Sequence, residues 1–217
     1  MSSTHHNWER LVEHAEFSPR DTSEGVVFRD KIWLSNAYHH GNVLVRDLWN
    51  STDGIHWSQV SDDTPYDGYS EMVVFEDRLF AVKGSVWVSD DGERWTKILD
   101  ETPFGMTGYG ELIVYKGKMW QIGPGPEVWS STDGEHWECA TDAAACGDRR
   151  SSATVLFDDK LWRIAGNSEE KNSPEERGYP QFTTWNDVWC STDGAEWTRV
   201  LEHAPWAPRM WCRGRAY

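Results

Sequence analysis

Apolar residues along this chain gather in short runs broken by polar turns, and one such arrangement returns four times. It reads VVFRDKIWLSN from Val26, VVFEDRLFAVKG from Val73, LIVYKGKMWQIG from Leu112 and TVLFDDKLWRIAG from Thr154. In each, two apolar runs flank a polar pair. This predicts hairpins turning at Arg29-Asp30, Glu76-Asp77, Lys116-Gly117 and Asp158-Asp159. Helical periodicity is scarce.

A third run follows, as VWVSDDG, VWSSTDG or VWCSTDG, and then a fourth, as RWTKIL or EWTRVL. Between them the chain repeats Ser-x-Asp-Gly-x-x-Trp: STDGIHW from Ser51, SDDGERW from Ser89, STDGEHW from Ser131 and STDGAEW from Ser191. Glycine accepts positive φ without a steric cost, and the Ser and Asp side chains can accept hydrogen bonds from the free amides of a tight turn. Each unit therefore predicts four strands joined as a meander, recurring every ~40 to 60 residues, as in the blades of a β-propeller. The expected fold is all-β, a single domain over 1–217 with blades near 20–60, 64–99, 103–140 and 147–200. NWERLV near 7–12 reads as an unpaired outer strand and the stretch 208–217 as an unpaired inner strand.

Composition agrees with many short strands: the chain has 15 Trp, 18 Gly and 9 Pro. Twelve tryptophans occupy repeated slots: Trp57, Trp95, Trp137 and Trp197 after the turns, Trp49, Trp87, Trp129 and Trp189 on third strands, Trp33, Trp120 and Trp162 on second strands, and Trp8 at an outer-strand position. Phe80 takes the second-strand slot in the remaining unit. No aromatic binding stripe is needed to account for them.

With these phrases in hand, the chain resembles kelch-type β-propeller repeats, the family that includes the galactose oxidase propeller and sialic acid epimerases. The matching pieces are DDKLWRIAG, the NDVW before the fourth turn and the APWAPR near the end. The turn is also similar to the Asp-box of sialidases, one residue shorter because Asp joins Gly directly; that resemblance implies a structural hairpin remote from any catalytic centre. Copper ligands of the galactose oxidase kind do not map onto this sequence, and no cofactor or metal is implied.

A net charge of -15 argues against nucleic acid, whose phosphates such a surface repels. No run approaches the ~20 apolar residues of a membrane span, and the first residues have no apolar signal core, so a cytoplasmic location is expected. Cys139, Cys146, Cys190 and Cys212 show no zinc spacing; Cys139 and Cys146 could bridge in an oxidising compartment. The adjacent His39 and His40 lack further ligands for a metal.

In a propeller the lead-ins to the inner strands surround the channel mouth. Here they read FSPRD, DGYSE, TGYGE, GDRRSS and APRMW. They nominate Arg20, Arg149, Arg150 and Arg209, with Trp185 from the long loop NSEEKNSPEERGYPQFTTW, as ligand-binding residues. Tyr69, Glu71, Tyr109 and Glu111 are the candidates for catalysis. The stronger expectation for the same Arg, Tyr and Glu residues is that they hold the blades together, Arg pairing with an acid of a neighbouring blade. Tyr179 and Phe182 of the long loop are candidate partner contacts. The leading expectation is a binding module for a protein or carbohydrate. A sugar-active enzyme on an acidic sugar is the alternative, and a propeller fragment completed by another chain or by a homo-oligomer is the third.

Overall fold

The structure is a computed structural model, and it describes residues 8–39, 43–105, 108–168 and 183–216. The four repeated phrases form four antiparallel sheets of four strands each, every strand pairing with its neighbour in sequence. Blade one holds β1 (Glu24–Phe28), β2 (Lys31–His39), β3 (Val43–Ser51) and β4 (Ser58–Ser61). Blade two holds β5 (Glu71–Phe75), β6 (Arg78–Val82), β7 (Val86–Ser89) and β8 (Thr96–Leu99). Blade three holds β9 (Glu111–Tyr115), β10 (Lys118–Ile122), β11 (Val128–Ser131) and β12 (Glu138–Thr141). Blade four holds β13 (Ala153–Phe157), β14 (Lys160–Ile164), β15 (Val188–Ser191) and β16 (Thr198–Leu201). Among the described residues there is no α-helix, and so none long and apolar enough to cross a membrane.

Both turn types form as the residues require. The first hairpin of every blade turns on two residues at positive φ, such as Arg29 at 49° and Asp30 at 58°, the geometry that matches strand twist. In the second, Ser51 Oγ accepts the amide of Gly54 at 2.8 Å while Asp53 Oδ1 accepts those of Ile55 and His56, each at 2.8 Å. The same bonds recur around Ser89, Ser131 and Ser191. A β-bulge that the residue pattern does not announce sits just before Trp49, Trp87, Trp129 and Trp189 on the third strands.

Between blades, one joint is used three times. The second-strand aromatic of each blade lies under the turn glycine of the next: Trp33 under Gly92, Phe80 under Gly134, and Trp120 under Gly194. A Cβ on any of these glycines would collide with the ring beneath it, so close approach as well as φ demands glycine. Around these joints lie the apolar clusters. Phe28, Trp33, Leu48 and Leu79 pack between blades one and two, Phe80, Val82, Val86 and Met119 between two and three, and Trp120, Ile122, Leu161 and Trp197 between three and four.

The termini depart from expectation. Residues 8–12 and 208–216 form no strands, and Trp8 is exposed instead of packed at an outer-strand position. Among the described residues, every strand is paired within its own four-stranded sheet and none pairs with either segment. The C-terminal residues nevertheless run beside blade four: a Cβ on Gly214 would strike Val155, and the Cys212 amide donates to Ser151 O at 3.3 Å. They stand where a fifth inner strand would begin. All four cysteines are free; Cys139 is exposed while Cys146 is buried and receives a hydrogen bond from Arg163 Nη1, so the bridge considered between them is not formed.

Candidate functional site

The first residue of β1, β5 and β9 is a glutamate: Glu24, Glu71 and Glu111. Two positions earlier stands a residue with left-handed backbone, Thr22 (φ 53°), Tyr69 (64°) and Tyr109 (69°), and the pattern returns as Ser151 (51°) before Ala153 and Trp211 (60°) before Arg213. This kink, uncommon for residues with a Cβ, places Tyr69, Tyr109 and Trp211 around one cavity of about 600 Å³ whose lining also includes all three glutamates. Lys83 and Arg213 are the cations in that lining.

Arg213 fills the fifth place in the ring of glutamates. Its Nη2 donates to Glu24 Oε1 at 3.0 Å, and its Nη1 lies 3.7 Å from Glu111 Oε2. One guanidinium cannot neutralise three carboxylates. Burial raises the pKa of Glu71 well above the usual carboxylate range, and the charges of Glu111 and Glu24 raise it further. Burial likewise pushes Glu111 up to about 7, with Arg213 pulling the other way. Glu24 is raised by burial and restrained by the same arginine. At neutral pH the ring therefore holds protons and can both donate and accept hydrogen bonds.

The rim is aromatic. Tyr109 and Trp211 meet edge to face with centroids 5.2 Å apart, and Tyr38 lies 5.2 Å from Tyr69. Lys83 Nζ sits 5.3 Å from the Tyr69 ring centre and donates to Gly68 O at 2.7 Å, and burial lowers its pKa. Flat apolar faces over a polar floor suit a ligand that is itself both, as a sugar ring is.

Of the residues nominated from sequence, Tyr69, Glu71, Tyr109 and Glu111 come together in this cavity. The arginines do not line it. Arg20 makes a bidentate pair with Asp47, both bonds at 2.8 Å, and Arg149 makes the same pair with Asp187, its Nη2 bond being 3.0 Å. Burial tends to raise the pKa of both aspartates, but the hydrogen bonds from arginine and from Trp49 or Trp189 outweigh it and hold them low. Trp185 stacks on Arg149, whose Cζ is 4.6 Å from the ring centre. Arg150 joins blade four through its backbone, bonded to Asn167. Arg209 is exposed, its Nε donating to Ala207 O. Tyr179, Phe182 and His40 lie outside the described residues, and of His39 only the backbone is described. Among the described residues, no three His, Cys, Asp or Glu side chains are grouped to hold a metal.

Sequence reasoning missed Glu24, Lys83, Trp211 and Arg213. Extending FSPRD by three residues reaches Glu24, and extending APRMW by two reaches Arg213, both in register with Glu71 and Glu111.

The carboxylate ring makes stability depend on pH. Glu111 has a folded pKa of about 7 against the ordinary 4.5, so the folded state binds its proton more tightly. The stabilisation from that proton is complete below the unfolded value and is lost as pH rises through the folded one. Melting temperature is expected to fall between about pH 4.5 and 7, and Glu111→Gln should flatten that slope. A wild-type slope retained in the variant would place the proton elsewhere, for example on His56 or His136, whose pKa values are raised by hydrogen bonds to Asp53 and Asp133.

Four meandering four-stranded sheets around a ring of inner-strand ends define the chain as a β-propeller-type protein. No family model matches it, and neither does any curated protein. Among solved structures it is similar to one described as the structure of YjhT, with a TM-score of 0.73 over 92% of this chain and 75% of that one. Sequence identity is 12%, so the likeness concerns the fold alone.

Proposed function

We propose that this chain is a binding module that takes a carbohydrate at the mouth of its channel. The observation that carries this reading is the convergence of Glu24, Glu71 and Glu111 beneath Tyr69, Tyr109 and Trp211 in one cavity. Carboxyls that hold protons near neutrality offer donors and acceptors to hydroxyls, and the rings offer faces for the C–H surface of a sugar. The recurring second-strand phrases and Asp-Gly turns support placing the module among kelch-type propellers.

The test is titration calorimetry with neutral, amino and acidic mono- and disaccharides. Glu71→Leu, which removes both donor and acceptor, and Tyr109→Ala are each expected to weaken the best ligand about tenfold or more while the protein stays folded. If no sugar in the panel binds, or if both variants bind as well as the parent, the reading fails.

A second reading is favoured by one observation: Glu111, with a pKa of about 7, is suited to act as a general acid. In a sugar-active enzyme it would protonate a leaving oxygen. Turnover of a bound sugar that disappears in Glu111→Gln distinguishes this reading from simple binding.

A further inference from the structure

The inter-blade joint described above occurs three times within the chain and is left half-made at both ends. Trp162 holds the second-strand position of Trp33 and Trp120 but has no following turn glycine and is partly exposed. Phe157 is 58% exposed, whereas its counterparts Phe28, Phe75 and Tyr115 are at most 5% exposed. On the opposite side, the Gly54 turn of blade one has, among the described residues, only Ile32 of its own blade nearby, and Val27 and Ile32 are exposed.

The C-terminal segment carries the remaining half-made contacts. Trp206 stands seven residues before Arg213, as Phe17 stands before Glu24 and Phe104 before Glu111. Phe17 and Phe104 pack on Trp57 and Trp137, the tryptophans after the turns of the blades they lead into, at 5.1 and 5.0 Å between centroids. Trp206 has no such ring, and its buried Nε1 lacks a hydrogen-bond partner. Arg209 stands four residues before Arg213, as Arg20 before Glu24 and Arg149 before Ala153. Those two arginines are paired with Asp47 and Asp187, each two residues before a third-strand Trp, while Arg209 has no carboxylate partner among the described residues.

We propose that the notch between blades four and one is a docking site for three further antiparallel strands of a defined sequence pattern, which complete a fifth blade on the C-terminal segment. The half-made contacts specify what the guest carries. Its third strand has Asp-x-Trp, the acid meeting Arg209. Its final turn is Ser-x-Asp-Gly-x-x-Trp, with the glycine over Trp162 and the last Trp against Trp206. Its second strand has an aromatic side chain facing the Gly54 turn. Cavity residues Glu24, Tyr109 and Arg213 keep their places, so docking does not depend on the sugar site.

The probe is a peptide of residues 78–99 of this chain, spanning β6 to β8, with Ser85→Asp to supply the acid two residues before Trp87. In calorimetry it is expected to bind the full chain one to one, and to bind Arg209→Ala or Trp162→Asp about tenfold or more weakly. The same segment fused after Tyr217 through a short flexible linker is expected to raise the melting temperature by about 5 °C. A fused chain that melts with the parent overturns the proposal, as does peptide binding that both variants leave unchanged. Light scattering on the chain alone provides the other adverse outcome: self-association abolished by Trp162→Asp assigns the notch to a second copy instead.

Discussion

Replacing Arg149 with Ala is expected to cost about 3 to 5 kcal/mol of folding free energy in a urea titration, because it strands a buried charge. Arg149 and Asp187 have side chains only 3% and 8% exposed, and the guanidinium also donates to Ala165 O at 3.0 Å. Without it, Asp187 retains only the Trp189 indole, at 2.8 Å, as a side-chain donor. The loss should shrink as pH falls below about 4, where a carboxyl no longer favoured by arginine accepts a proton. The sign follows from the lowered folded pKa of Asp187: its stabilising contribution is present above the unfolded value and disappears on acidification. Arg149→Lys keeps the charge but not the fork, and should fall between the two. Unchanged stability combined with lost sugar binding would return Arg149 to the ligand site.

Trp120→Ala should be comparably costly, about 3 to 5 kcal/mol, since its ring lies under Gly194 in the cluster between blades three and four. Its indole donates to Tyr115 O at 2.9 Å, and that bond is lost as well. Trp162 makes the matching bond, to Phe157 O at 2.9 Å, but among the described residues no turn glycine lies over its ring as Gly194 lies over Trp120. Trp162→Ala is expected to cost less, because Trp162 is only partly buried and part of its apolar surface is in water in both states. The comparison is internally controlled: same residue, same strand position and same local hydrogen bond. Equal losses would mean that Trp162 is covered in solution.

The fold was legible because its turns are chemical. Two residues able to take positive φ between apolar runs, and a Ser and an Asp poised over a glycine, define hairpins without reference to the rest of the chain. Half the cavity was legible too, since Tyr69 with Glu71 and Tyr109 with Glu111 recur at the same distance before an apolar run. The ion pairs of the arginines were hidden because the partners lie far along the chain, 27 residues away for Arg20 and 38 for Arg149. Yet a signal exists. The two blades whose lead-ins carry Arg also carry Asp-x-Trp, at Asp47 and Asp187, whereas the other two have Ser85 and Glu127 there. Arg213 was hidden for a different reason. Its neighbours form no strand, so no alternation marks its place, and only register with the earlier glutamates reveals it.

The three joints run from blade one to blade four, and Arg213, on the segment beside blade four, reaches across the remaining gap to Glu24 of blade one and across the channel mouth to Glu111 of blade three. Mechanically the molecule is a row held in a circle by a clasp. Interior blades two and three are gripped on both faces, while the end blades are gripped on one, so thermal opening starts at the seam and spreads inward. A guest strand or a sugar that tightens the clasp changes the order in which the whole row comes apart.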